Sequence, residues 1–367
     1  MSKLMNSTKA DFDAIFIGWQ EKSSEDIFPL FNITAEDHPL YQSTVSEAAL
    51  RKLHLRVPRI PSPYPEGGPA PAPWHQVGIE LNHPKTAKDA IQMAGLDFTV
   101  VKKSLGLKTG LNQDAYATLR TDTGDILGVV NESYEPLQNI DAFTFFDALV
   151  ADGEAIYETA GVLGKGERVW ILAKLPGYIK VHGNDIVHKY ILLTNSHDRN
   201  AHVRLKIVPI RAICNNTLTA ALRGAGDISI QPAPNGVWDS EQAAKMLILS
   251  NFLYEELDMV FNGMAAKSIA NEQLREYVQA LVPDNEEALN TSRTKKIRES
   301  VLQLHDSGRG ADLARGTVWG AFNSVAEYTD HLMSNEDSDT RLNSIWFGRG
   351  EQLKVKAFRL AEQLMRN

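Results

Sequence analysis

Residues 194–222, TNSHDRNAHVRLKIVPIRAICNNTLTAAL, concentrate side chains that are able to do chemistry. The stretch contains the only cysteine of the chain, Cys214, two of its ten histidines, His197 and His202, and a group of arginines. This combination suits three kinds of site: a cysteine–histidine catalytic centre, a metal site, or a basic surface that binds a polyanion. Each kind of site requires a different neighbourhood around the same side chains.

A cysteine nucleophile needs a base beside it and a thiolate stabilised by positive charge or by a helix N-terminus. Arg211 lies close to Cys214, and the segment CNNTLTAAL is predicted to start a helix. His197 and Asp198 are the further groups that an enzyme with a cryptic site would use. A small buried cysteine is favoured instead, because free cysteines are mostly buried and inert. We therefore assign no catalytic residue and keep the cryptic enzyme as an alternative.

The histidine pattern argues against a metal centre. Four histidines crowd one region without the tight spacing of a metal motif: His182, His188, His197 and His202. Four polar residues share one face of a predicted C-terminal helix: Asn323, Glu327, Asp330 and His331. That face favours a hydrogen-bonded or solvated surface over a metal site. With no phosphate-binding or dinucleotide motif present, the sequence predicts neither a metal nor a cofactor.

A basic strand is the feature that most favours binding. In HVRLKIVPI, period two places Val203, Leu205 and Ile207 on the core side and the basic residues on an open face. The predicted nucleic-acid-binding residues are the cations and hydrogen-bond donors of this strand, its flanks and the neighbouring hairpin: Lys180, Lys189, Arg199, Arg204, Lys206, Arg211, Asn215, Asn216 and Thr217. The alternative is an exposed strand whose charge only keeps it soluble.

The elements around these residues predict an α+β fold, with an antiparallel, hairpin-rich sheet core, packed helices and a mainly helical C-terminal region. Turn signals predict hairpins around TDTGD, around residues 161–166 and at HGND. Helical spacing predicts helices over 86–94, 139–151, 292–310, 316–333 and 349–366, the last three within the C-terminal region. We expect an N-terminal extension with a Pro/Gly-rich linker (1–72), an α+β core (73–235) and a helical region (236–367).

The composition is that of a globular protein, and it excludes several classes. The 367 residues are 43% hydrophobic and carry a net charge of −8, which argues against a protein coated in basic surface. No apolar run approaches the ~20 residues that span a bilayer. Asp11 and Asp13 interrupt the position of a signal-peptide core, and a single cysteine forbids an internal disulfide. We therefore expect a cytoplasmic protein without a membrane partner.

Several motifs, in order, resemble the phage/plasmid-like protein family, a domain of unknown function (domain 932). They are PWHQVGIEL, GVVNESYEPLQNIDAFTFFDAL, RAICNNTLTAAL and GTVWGAFNSVAEYTDHL, and the resemblance covers roughly residues 73–364. It implies a phage or plasmid context, but no catalytic residue is established for the family. A sheet of hairpins followed by a helix is also similar, at the level of fold only, to the cores of phage single-strand annealing proteins.

Together these features predict a protein that binds single-stranded nucleic acid, with annealing as an extension of that activity, in phage or plasmid replication or recombination. Because annealing proteins work as rings or filaments, we expect a homo-oligomer whose partner is single-stranded DNA or another polyanion. Two alternatives stay open: an acidic phage protein that counters a host defence factor by binding a host or phage protein, and the cryptic enzyme.

Overall fold

The computed structural model describes the chain in eight stretches: 78–108, 114–198, 203–214, 216–218, 227–230, 240–284, 291–333 and 337–366. The predicted N-terminal extension, 1–72, lies outside the described residues, as do Arg199, His202 and Asn215.

A large antiparallel sheet forms the centre of the protein. Its strands are β1 (Ile79–Glu80), β5 (Ile156–Leu163), β6 (Arg168–Val181), β7 (Asp185–Ser196), β8 (Val203–Ile207), β9 (Ile210–Arg211), β10 (Asn216–Thr217) and β11 (Asp227–Ile230). The order across the sheet is β1-β5-β6-β7-β8-β11, while β9 pairs with both β7 and β10. Leu163 pairs with Arg168 and Val181 with Asp185, so the hairpins predicted around residues 161–166 and at HGND are both confirmed.

A smaller antiparallel sheet contains β2 (Val100–Lys108), β3 (Asp114–Arg120) and β4 (Ile126–Val130). The hairpin predicted around TDTGD is the connection between β3 and β4. This sheet is attached to the large one through the end of β7, because the buried Thr118 hydroxyl donates a hydrogen bond to the His197 carbonyl at 2.7 Å.

Helices flank the sheets and make up the C-terminal region. They are α1 (Ala87–Met93), α2 (Asn139–Phe143), α3 (Asp147–Ala151), α4 (Ser240–Ala266), α5 (Asn271–Leu281), α6 (Thr291–Ser307), α7 (Val318–Glu327), α8 (Ser338–Phe347) and α9 (Arg349–Arg366). A π-helix, Tyr328–Leu332, continues α7, and a 3₁₀ turn joins α2 to α3. The predicted α+β class, with its helical C-terminal region, is confirmed.

The centre of the large sheet is covered on both faces, which the alternation of β8 does not reveal. On one face Val203, Leu205 and Ile207 enter the main core, as predicted, where α4 and α7 also pack. On the other face α8 brings Trp346 against Trp170, with ring centroids 5.0 Å apart. The expectation of an open basic face is therefore wrong for Lys206, which is only 4% exposed because α8 and α9 cover it.

The segment after β9 also differs from its prediction. Asn216 and Thr217 form a short strand, β10, and not the first turn of a helix. The backbone N–H of Thr217 donates to the Asp330 carboxylate at 2.6 Å, so a side chain from the π-helix satisfies a donor that the sequence assigned to an anion. The helix-start interpretation of this segment is wrong for these two residues.

Candidate nucleic-acid interface

Arg211 is buried and does not lie on the protein surface. Its guanidinium is 2% exposed and forms an ion pair with Asp185 at 2.7 Å, and the Trp319 indole N–H donates to the same carboxylate at 2.8 Å. Arg211 also donates to the Gly310 carbonyl at 2.8 Å. A buried charge is tolerated when it is paired and hydrogen-bonded in this way, so Arg211 connects β9 to the loop after α6.

Thr217 belongs to a second buried network. Its hydroxyl donates to Asp330 at 2.5 Å and accepts from the Lys354 ammonium at 2.6 Å, while Lys354 pairs with Asp330 at 2.8 Å. Neighbouring Asn216 is also buried, and its Oδ1 lies 3.0 Å from the His331 ring nitrogen Nε2. These two predicted binding residues therefore attach β10 to the C-terminal helices.

The remaining predicted cations do not form one surface. Lys189 lies over the Tyr254 ring, on the α4 side of the sheet, whereas Lys206 points to the α8 side. Lys180 is exposed and Arg204 is half-buried. Lys206 is bound to Glu351 and to the Trp346 carbonyl. The predicted set is thus divided between a buried framework and separate surface positions.

The structure does not bring together the cysteine and the histidine of the proposed cryptic enzyme, Cys214 and His197. Cys214 is 2% exposed, and burial raises the pKa of its thiol to about 11, which keeps it protonated. His197 lies in another network, with its Nε2 2.9 Å from Asn139 Oδ1 and its ring against Phe98. Within the stretches that the structure describes, His197 and Cys214 make no contact with each other.

The polar face of the C-terminal helix is hydrogen-bonded, as the sequence favoured. Asn323 donates to the Trp319 carbonyl, Glu327 accepts from the Arg309 N–H, and Asp330 accepts from Thr217. Its fourth member, His331, faces the Cys214 carbonyl at 3.2 Å. This face fixes the π-helix against β9, β10 and the loop after α6.

The π-helix is the place where three other helices meet. Tyr328–Leu332 contacts α6, α8 and α9 in addition to continuing α7. Three of its side chains reach the surface, since Tyr328 and His331 are half-buried and Leu332 is 51% exposed. π-helical turns occur frequently at functional sites, so the surface around this turn is a candidate binding surface.

Four arginines surround the π-helix, and we call them the arginine surface: Arg293 on α6, Arg309 in the loop after α6, Arg341 on α8 and Arg349 at the start of α9. Three are exposed and Arg341 is half-buried. None of the four side chains forms an ion pair or a hydrogen bond with another described residue. A group of guanidinium ions without carboxylate partners is suited to phosphate.

The charges of these arginines act on side chains of the π-helix. Burial raises the pKa of the Tyr328 hydroxyl, and the charges of Arg293 and Arg349 oppose that rise. Burial lowers the pKa of the His331 ring, and Arg309 and Arg341 lower it further, against the opposing charge of Asp330. Two arginine charges therefore act on each of these two side chains, and the turn that carries them contacts α6, α8 and α9.

Sequence reasoning missed the arginine surface because its members are far apart in the chain. The basic composition of the helix predicted over 292–310 was the only available signal, and it covers Arg293 and Arg309. Arg341 and Arg349 come from two later helices, and nothing in their spacing connects them to α6.

An acidic cavity lies beside α8. Its volume is about 440 Å³, and its lining includes Glu167, Asp198, Asp337 and Asp339 together with Arg168. Four carboxylates against one guanidinium disfavour a phosphate in this cavity. The arginine surface is therefore the better candidate for a polyanion.

Comparison with known proteins supplies a family. The sequence model of a domain of unknown function, DUF932, matches residues 126–346, more than half of the chain. The chain belongs to the DUF932 family. The matched part of this DUF932 protein contains the Arg211 network, Thr217 and Asp330 of the second network, and three of the four arginines, whereas Lys354 and Arg349 follow it. No curated protein and no solved structure matches the chain.

One further finding concerns membranes. Among the described helices of this DUF932 protein, none combines the length and the apolar character that crossing a bilayer requires.

Proposed function

We propose that this protein binds single-stranded nucleic acid through the arginine surface. The observation that carries the proposal is the placement of four arginines around one turn, since α6, α8 and α9 contact the π-helix and the loop after α6 is bonded to Glu327 at its start. The side chains of Arg293, Arg309, Arg341 and Arg349 form no ion pair with a carboxylate of the described residues. Guanidinium ions bind phosphate oxygens through paired N–H donors, and this contact is independent of base sequence. The chain as a whole is acidic, with a net charge of −8, which disfavours binding of a polyanion over the protein surface in general.

Side chains beside the arginines favour a single strand over a duplex. Tyr328 is half-buried and Leu332 is half-exposed, so the turn that the arginines surround also presents an aromatic and an aliphatic side chain. Unpaired bases stack on such groups, whereas the bases of a duplex are already stacked on each other. The proposed setting is nucleic-acid recombination or replication of a phage or plasmid in a host cytoplasm, with strand annealing by a homo-oligomer as the extended activity.

Salt dependence gives the proposal a quantitative test. If each of the four arginines neutralises one phosphate, the logarithm of the affinity falls with the logarithm of salt concentration with a slope of about −2.8, at about 0.7 per contact. Affinity then falls about 50-fold between about 50 and about 200 mM salt. The measurement is fluorescence anisotropy of a labelled single-stranded oligonucleotide over a series of salt concentrations, with the matching duplex as a second probe.

Substitutions of single arginines test whether nucleic acid binds at the arginine surface. Arg293→Ala and Arg349→Ala should each weaken binding and reduce the slope by about 0.7. The matched control is Arg275→Ala, since Arg275 is also exposed, lies on α5 and forms no ion pair with a described residue. Equal losses in all three variants would show that only net charge matters. Absence of binding at low salt and micromolar protein would remove the proposed function and leave the acidic interaction protein ahead of the enzyme.

A further inference from the structure

Arg309 differs from the other three members of the arginine surface in how its backbone is fixed. Its N–H donates to both oxygens of the Glu327 carboxylate, at 3.1 and 3.0 Å. From the other side, the Arg211 guanidinium donates to the Arg309 carbonyl at 3.5 Å and to the Gly310 carbonyl at 2.8 Å. Two ionisable groups therefore clamp a single loop of three residues, Gly308–Gly310.

Both clamping groups are buried. Arg211 is 1% exposed and Glu327 is 7% exposed, although Arg309 itself is exposed. Burial raises the pKa of Glu327, while its bonds to the Arg309 N–H and the nearby arginine charges oppose the rise. Holding two such groups out of water is costly, and besides the Asp185 carboxylate that pairs with Arg211, their hydrogen-bond partners include main-chain atoms of this loop.

Glycines on both sides of Arg309 permit this geometry. A Cβ atom at Gly308 would lie 2.5 Å from Glu327 Oε2, so the carboxylate reaches the backbone only because that position has no side chain. Gly310 has a φ of +70°, which glycine adopts without strain. A Gly-Arg-Gly segment has high backbone freedom. The clamp removes that freedom at the residue whose guanidinium projects into solvent.

We propose that Arg309 is the positioned phosphate-binding residue of the arginine surface, and that Glu327 and Arg211 are its positioning residues. The inference rests on the proposed function and deepens it. The loop of Arg309 is held from both sides by buried charged groups, so Arg309 forms the bidentate contact with one phosphate, and the three arginines on helices supply positive charge. Position 309 therefore requires arginine, whereas the other three positions of the arginine surface require only a positive charge.

The first test compares two conservative substitutions by the same anisotropy assay. Arg309→Lys should lose affinity about tenfold or more, close to the loss in Arg309→Ala, because an ammonium ion cannot form the paired contact. Arg293→Lys should bind like the wild type. If Arg309→Lys also binds like the wild type, the positioned role is overturned while the proposed function stands.

The second test examines the clamp without nucleic acid. Trypsin cleaves after Arg309 only when the loop opens, so Glu327→Met should be cut there about tenfold faster than the wild type. Cleavage after Arg275, followed by mass spectrometry in the same digest, is the internal control. Gly310→Ala provides a second way to displace the loop if Glu327→Met folds poorly. Unchanged cleavage after Arg309 in both variants overturns the clamp.

Energetic coupling between Glu327 and Arg309 provides a third test. In the wild type, Arg309→Ala should reduce the salt slope by about 0.7. In the Glu327→Met protein, the same substitution should reduce the slope by much less. A purely structural role for Glu327 would leave the two effects additive. A wild-type protein that binds no oligonucleotide overturns the proposed function and this inference with it, whatever the trypsin result.

Discussion

Replacing Lys354 with methionine should destabilise the protein strongly, because it leaves a carboxylate unpaired in the core. Lys354 and Asp330 are both 0% exposed and lie 2.8 Å apart. Breaking a buried pair by removing one partner costs about 3–5 kcal/mol. Asp330 keeps two bonds from Thr217, at 2.6 and 2.5 Å, and one from Thr329 at 3.1 Å. These remaining donors place the expected loss of unfolding free energy at about 3 kcal/mol.

A double-mutant cycle tests whether the loss comes from the unpaired charge. Asp330→Asn alone leaves the Lys354 ammonium buried without its counter-ion, so its cost should be of similar size, about 3 kcal/mol. The double variant has no buried charge at this position and retains an amide that accepts from Thr217. It should therefore lose only about 2 kcal/mol, compared with about 6 kcal/mol if the two sites were independent.

Urea titration followed by both circular dichroism and tryptophan fluorescence measures these free energies, provided that the two transitions coincide. Wild type, both single variants and the double variant should show the same dependence on urea concentration. Additive losses in the double variant would refute the reasoning, because they would mean that the two side chains do not share a buried charge. A loss below about 1 kcal/mol in Lys354→Met would mean that the site is accessible to water.

Three further predictions concern other buried groups. Burial lowers the pKa of His197 from 6.5 to about 4. Between these pH values the unfolded chain binds a proton that the folded protein does not, so the free energy of unfolding falls by up to about 3 kcal/mol as the pH decreases from 6.5 to about 4. His197→Gln should remove that part of the pH dependence in urea titrations, and an unchanged dependence would contradict it. Gly161→Ala places a Cβ 2.8 Å from the Trp170 ring and should cost about 1–3 kcal/mol in the same titrations, so wild-type stability would argue against close packing there. The Cys214 thiol should react with a disulfide reagent only after unfolding, since burial raises its pKa to about 11, and fast labelling of the folded protein would disprove its burial.

Local pattern predicted much of the fold correctly. Turn residues located the hairpins, and alternation placed Val203, Leu205 and Ile207 in the core. Helical spacing identified α9, and it identified the polar face that contains Glu327 and Asp330. These features depend on residues that are near each other in the chain, so the sequence contains the information directly.

Long-range packing decided the candidate site. Lys206 reads as a surface residue in its strand, yet it donates to the Trp346 carbonyl, 140 residues away. Arg211 reads as a phosphate ligand, yet it binds Asp185 and the loop that presents Arg309. A charged side chain on an alternating strand has the same pattern whether solvent or another helix covers it.

The sequence by itself determined the α+β class, the hairpins, the helical C-terminal region and the presence of a polar face on α7. The tertiary structure decided which charges are buried and which reach solvent. It also decided that arginines from α6, the following loop, α8 and α9 meet around one π-helical turn. The physical reason is that local pattern sets how each element folds, whereas the burial of a charge depends on which distant element supplies its partner.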